Sequence, residues 1–94
     1  MKSAYELAME RLSRQAPAQK LSTAQKERIA ELDSIYQAKI AQKDLAMQAD
    51  VARFVASGDA EKAAEARATF ASERQTLEAE REARKERIRS EDGR

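Results

Sequence analysis

The sequence predicts an all-α protein, in which a short N-terminal helix precedes a long antiparallel two-helix coiled-coil hairpin that dimerises into a helical bundle. The 94 residues include 20 alanines, and 37% of the chain is charged, a composition typical of long helices. Apolar residues recur at helical spacing along two long segments. Ser57-Gly58-Asp59 separates these segments, so residues 1–94 are interpreted as one helical domain.

Helix 1 is predicted from about residue 4 to residue 15. Ser3 and Glu6 have the spacing of a capping box, in which each side chain accepts from the other residue's backbone N–H. Pro17 is predicted to end the helix, because the residue before a proline is pushed out of helical geometry. Residues 16–22 then form a connector. The apolar stripe of this helix contains Tyr5, Met9 and Leu12.

Helix 2 is predicted from about residue 23 to residue 57, behind a second capping box of Ser22 and Gln25. At 1.5 Å per residue it is roughly 50 Å long. The turn comprises Ser57, Gly58 and Asp59, with Gly58 suited to the left-handed backbone at a helix end and Asp59 to an N-cap. Helix 3 then covers about residues 60–90.

Large apolar residues of helix 2 step by three and four in an 11-residue repeat, which favours a straight or slightly right-handed seam. Helix 3 has a matching set. The predicted hairpin seam comprises Ile29, Leu32, Tyr36, Ile40, Met47, Val51, Phe54, Ala63, Ala66, Phe70, Leu77, Arg81 and Ile88.

Residues that face each other in an antiparallel helix pair have numbers with a constant sum. Here the apolar residues of the two helices predict a register in which this sum is 117. Ile29 with Ile88 and Ile40 with Leu77 both fit this sum, whose centre lies on the turn. The alternative is one continuous helix of about 70 residues, since a single glycine costs only about 1 kcal/mol inside a helix. The pattern favours the hairpin and leaves the straight rod open.

Two polar pairs are expected in the same register. Tyr36 meets Arg81, so that the guanidinium stacks on the ring, and Asp33 meets Arg84.

A second apolar stripe lies outside the seam. A two-helix hairpin with so thin a seam is marginal on its own, so a partner is expected to cover the stripe. We expect a homodimer, in which the two hairpins are either parallel or antiparallel. The alternative is that no partner is needed, because alanine is common on helices simply as the best helix former. Helix 1 is so short that it can cover only the open end of the hairpin, which lies opposite the turn and near Ile29, Leu32 and Ile35. We expect it to pack there, on its own hairpin or on a neighbour's. The candidate oligomer interface comprises Ile35, Leu45, Ala49, Ala52, Val55, Ala60, Ala64, Ala68 and Ala71.

Composition points away from enzymatic chemistry. The chain has no cysteine and no histidine, which removes thiolate chemistry and the commonest general base. We predict no catalytic, cofactor-binding or metal-binding residues and no small-molecule substrate. No apolar run approaches the roughly 20 residues that span a bilayer, and no signal peptide is evident, so a cytoplasmic location and no membrane partner are expected.

The leading interpretation is a structural or protein-interaction protein that self-associates and can also bind another protein. An alternative is a nucleic-acid- or ribosome-associated factor, which the net charge of +1 does not favour. A second alternative is a small holdase-like chaperone. The candidate phosphate contacts for the first alternative are Arg84, Lys85, Arg87 and Arg89.

Overall fold

The chain folds into three helices: α1 (Ala4–Gln19), α2 (Thr23–Ala56) and α3 (Ala60–Ser90). A computed structural model describes the backbone of residues 3–91 and the side chains of residues 3–11 and 20–91. The described part contains no strand, and α2 packs against α3. The predicted all-α helical hairpin is confirmed, and the straight rod is not formed.

Both capping sites are used. The backbone N–H of Gln25 donates to Ser22 Oγ (3.1 Å), and the N–H of Ser22 donates to Gln25 Oε1 (2.8 Å). This reciprocal pair fixes Ser22 in an extended conformation with φ −70° and ψ 164°. At the start of α1, the N–H of Glu6 donates to Ser3 Oγ (3.1 Å). Hydroxyl acceptors therefore satisfy backbone donors that the first turns leave open.

The turn reverses the chain at a left-handed glycine. Gly58 has φ +78°, a conformation that costs an L-residue roughly 1–2 kcal/mol. The N–H of Asp59 donates to Phe54 O (2.8 Å) and the N–H of Gly58 donates to Val55 O (3.0 Å), which is a Schellman ending. Helix α2 ends at Ala56, one residue before its predicted end, and Ser57 is its C-cap. Asp59 starts α3 by accepting the N–H of Lys62 (3.0 Å).

Polar contacts across the hairpin follow the predicted register closely. Lys43 Nζ lies 2.6 Å from Glu73 Oε2, and Lys85 Nζ lies 3.0 Å from Asp33 Oδ1. The residue numbers of these two pairs add to 116 and 118, on either side of 117. A long charged side chain can reach about one helical turn towards either end of the partner helix. The sums for ion pairs therefore vary around the value that the apolar residues define.

Helix α1 differs from its prediction in length. It continues to Gln19 rather than ending near residue 15, so Pro17 lies inside its last turn. Pro17 has no N–H to donate to the carbonyl four residues earlier, so the helix continues past it with one backbone hydrogen bond fewer. The connector therefore shrinks to residues 20–22.

Helix α1 does not lie along its own hairpin. Tyr5 is 72% exposed and Met9 is 48% exposed, so neither packs beside Ile29, Leu32 or Ile35 as the sequence suggested. The side chain of Leu12 lies outside the described part. None of the three described helices is long and apolar enough to cross a membrane.

Candidate protein-interaction surfaces

The described side chains that could contact a partner lie on open surfaces of the hairpin rather than in an enclosed pocket. Among the described residues, no three acidic, histidine or cysteine side chains converge as metal ligands would. The concavities are shallow grooves between α2 and α3 rather than enclosed cavities. The described residues therefore offer open surfaces rather than an enclosed site.

All thirteen predicted seam positions are buried or half-buried, but the seam is thin. Within the described part, only Tyr36, Ala63 and Ile88 are fully buried apolar residues. Tyr36 is 0% exposed and is the largest of them. Two long helices thus share a seam in which few of the large side chains are buried.

Tyr36 is surrounded by polar groups of both helices. Its hydroxyl lies 3.4 Å from Glu80 Oε2, near the long limit for a hydrogen bond. Lys39 Nζ lies 4.9 Å and Arg84 Cζ 5.8 Å from the ring centre. Arg84 thus takes the stacking role that the sequence assigned to Arg81.

Arg81 lies in a charged cluster with Asp33 and Lys85. Lys85 Nζ is 3.0 Å and Arg81 Nε is 3.8 Å from Asp33 Oδ1. Arg81 Nε is buried and has no hydrogen-bond partner among the described residues. The expected pair of Asp33 with Arg84 is therefore wrong, because Lys85 and Arg81 lie on the same flank of the seam as Asp33, whereas Arg84 lies on the other flank, over the Tyr36 ring.

Gln25 joins the open end of the hairpin. Its side-chain amide donates to the backbone carbonyls of Ile88 (2.9 Å) and Glu91 (3.1 Å), so it satisfies acceptors that the end of α3 leaves open. Sequence reasoning treated Gln25 only as a capping residue. The 11-residue repeat carried a signal for more, because Gln25 stands 11 positions before Tyr36.

A bidentate ion pair lies beside Gln25. Arg28 donates from Nη1 to Glu91 Oε2 (2.5 Å) and from Nη2 to Glu91 Oε1 (3.1 Å). These hydrogen bonds lower the pKa of the Glu91 carboxyl below its ordinary value. They also raise the pKa of the Arg28 guanidinium.

The candidate oligomer interface is exposed, but its members do not share one face. Ile35, Leu45 and Val55 are 43%, 67% and 58% exposed. At about 100° per residue, Ile35 and Val55 lie roughly 160° apart around α2, on opposite broad faces of the hairpin. Leu45 and Ala49 lie on the edge of α2 that points away from α3.

We define the turn-end face as the six members that do lie together. On each helix they lie on the same flank of the seam, with Ala52 and Ala68 towards the outer edges and Arg67 on its seam side, so they form one broad surface near the turn. All six are exposed. The turn-end face comprises Ala52, Val55, Ala60, Ala64, Ala68 and Ala71.

The open-end groove lies on the opposite face. It has a volume of about 420 Å³, with Leu32, Ile35 and Ile88 as its apolar lining. Arg84 and Arg87 line the α3 side, and neither has an ion-pair partner in the described part. The remaining lining residues are Arg28, Glu31 and Glu91.

The four candidate phosphate contacts do not form one basic surface. Lys85 pairs with Asp33, and Arg89 Nη1 pairs with Glu86 Oε2 at 3.2 Å. Arg87 and Arg89 lie roughly 160° apart around α3. Only Arg84 and Arg87 therefore remain as neighbouring cations without a carboxylate partner among the described residues.

The chain matches no protein family, no curated protein and no solved structure.

Proposed function

We propose that this protein is a non-enzymatic protein-interaction protein, and that it acts as a homodimer of hairpins joined through the turn-end face. The observation that carries the proposal is the thin seam, beside which Val55 of the turn-end face remains 58% exposed. A single small hairpin buries too little apolar surface to be more than marginally stable.

Energetics support a partner on this surface. Full burial of a valine or leucine side chain contributes about 1.5–3 kcal/mol. The four small side chains of α3 allow close approach of a second helix, as small residues do in helix–helix contacts. Two copies of Val55, with the surrounding alanines, would contribute enough to offset a large part of the association cost of about 4–15 kcal/mol.

A charge placed in the turn-end face tests the proposal. Ala52→Glu buries a carboxylate in the dimer, so light scattering should give the monomer mass of 10.5 kDa. Circular dichroism should still show the helices, because Ala52 is exposed in the single hairpin. A dimer that survives Ala52→Glu would contradict this interface.

The matched control is Ala46→Glu, also exposed and on α2 but roughly 120° away around the helix. This variant should keep the mass of the unchanged protein. Equal dissociation of both variants would show a general charge effect rather than a defined interface.

The sequence-based alternatives, a nucleic-acid- or ribosome-associated factor and a holdase-like chaperone, stay predictions, as does the cytoplasmic location. No contact in the described part favours either alternative over self-association.

A further inference from the structure

A second concave surface lies next to the turn-end face, towards the middle of the hairpin. We call it the mid-hairpin groove. It has a volume of about 480 Å³, and its large apolar lining residues are Ile40 and Phe70. At about 100° per residue, its walls lie on the same flank of the seam as Val55 and Ala71, so the groove and the turn-end face form one continuous surface. The wall residues are Gln37, Ala41 and Asp44 of α2 and Arg74, Glu78 and Arg81 of α3.

The two sides of this surface differ in charge. Asp44 on the α2 side is half-buried and has no ion-pair partner in the described part. On the α3 side, Arg74 Nε lies 2.9 Å from Glu78 Oε1, which leaves the terminal N–H groups of Arg74 for another acceptor. Arg67, nearer the turn on the same side, has no ion-pair partner among the described residues. The α2 side therefore presents an anion and the α3 side an excess of cations.

Two arrangements place this surface against a second copy of itself around a two-fold axis. In a parallel dimer the two turns lie side by side, and α2 packs on α3 of the partner. In an antiparallel dimer the turns point in opposite directions, so α2 packs on α2 of the partner and α3 packs on α3.

We infer that the hairpins dimerise in the parallel arrangement, with Asp44 of each copy bound to Arg74 of the other. This inference rests on the proposed homodimer and adds the mid-hairpin groove to its interface. In the register of 117, Arg74 faces residue 43, so Asp44 and Arg74 lie at nearly the same height along the hairpin. A parallel dimer therefore brings the two side chains directly opposite each other, in two symmetric pairs.

The rest of the surface fits the same arrangement. By the same register, Val55 faces the small side chains Ala60 and Ala64 of the partner, and Arg67 faces the neutral Gln48. The interface also becomes larger than the five alanines and one valine of the turn-end face, as a stable contact of roughly 800 Å² per partner requires.

The contact has a limit at the open end. There the parallel arrangement brings Lys26 opposite Arg89 of the partner, so we expect the hairpins to separate before this point.

The antiparallel arrangement opposes like charges. The turn-end face is centred near the height of residue 52, so the two copies of Arg67 would lie roughly 6 Å apart along the hairpin axis. Like charges facing each other across an interface disfavour association. This arrangement also leaves both mid-hairpin grooves largely uncovered.

Exchange of charges between chains tests the pairing. Asp44→Arg and Arg74→Asp should each raise the Kd of the dimer at least about tenfold, because each variant opposes like charges. A mixture of the two chains should recover the dimer mass in light scattering, because both contacts then join an arginine to an aspartate. Glu65→Arg, an exposed change on the other flank of α3, should leave the mass unchanged.

Mixing repairs only contacts between chains. Two single variants that dimerise like the unchanged protein, or a mixture that stays monomeric, would therefore overturn the Asp44–Arg74 contact.

A distance between the two copies tests the orientation. The chain has no cysteine of its own, so Glu31→Cys takes a single spin label on the outer side of α2. The parallel dimer should give a label separation below about 35 Å, since neighbouring helices in a bundle lie 8–10 Å apart. An antiparallel dimer centred on the turn-end face would give roughly 60 Å.

The results separate this inference from the proposed homodimer. A dimer with the long separation would overturn the parallel arrangement and leave the turn-end homodimer standing. A monomer mass for the labelled and the unchanged protein at every concentration would overturn both.

Discussion

The side-chain amide of Gln25 donates to the backbone carbonyl of Ile88 at 2.9 Å, and so joins the first turn of α2 to the last turns of α3. Both residues are buried. The same Gln25 side chain accepts from Ser22 N–H, so one residue both starts a helix and closes the hairpin.

Gln25→Ala should therefore destabilise the protein by about 1–3 kcal/mol, because the buried Ile88 carbonyl loses its donor. Urea unfolding at one fixed protein concentration measures the change. Gln42→Ala, an exposed glutamine of the same helix, should change stability by no more than about 0.5 kcal/mol. Equal effects of the two variants would show that the Gln25 bridge contributes nothing.

Gly58→Ala should cost about 1 kcal/mol, because φ is +78° and alanine disfavours the left-handed region. Steric crowding plays no part, since a Cβ at this position would meet nothing within 4 Å. Gly58→Asn should lose less, because asparagine tolerates this conformation. Thermal unfolding ranks the three proteins, and an alanine variant as stable as the unchanged protein would contradict the Schellman turn.

Asp33→Ala should destabilise the hairpin by about 1–3 kcal/mol, because it leaves Lys85 and Arg81 without their shared carboxylate. The side chains of Lys85 and Arg81 are only 14% and 25% exposed, so water replaces the partner poorly. Asp50→Ala breaks the exposed pair with Arg53 and should stay within about 0.5 kcal/mol. Chemical denaturation compares them, and a neutral Asp33→Ala would show that the cluster is fully hydrated.

The Arg28–Glu91 pair should make stability depend on acidity. Because folding lowers the pKa of Glu91, its contribution is present above the ordinary value of 4.5 and is lost as pH falls through the lower folded value. Glu91→Gln should therefore lower the urea midpoint at neutral pH but match the unchanged protein well below the folded pKa. Glu65→Gln, at another exposed carboxylate, should show no such convergence. A midpoint difference that persists in strong acid would contradict a role for the charged pair.

The sequence predicted the hairpin because its determinants are local. The repeat through Ile29, Tyr36 and Met47 and the left-handed Gly58 need no knowledge of tertiary structure. Individual polar partners were harder to predict, since long side chains reach a turn to either side, and Asp33 accordingly meets Lys85 rather than Arg84.

The exposed stripe was harder to assign to a face. The steps of three and four residues grouped Ile35 with Val55 in one stripe. The two are 20 residues apart, however, and at about 100° per residue they lie on opposite sides of the hairpin. The path of α1 depends on the short connector and on the last turn around Pro17, where local preference and helix continuation compete.

The most direct measurement is the absolute mass by light scattering on a sizing column, across a dilution series. The account predicts a mass near twice 10.5 kDa that falls towards 10.5 kDa only on strong dilution. A mass of 10.5 kDa at every concentration would contradict the proposed homodimer.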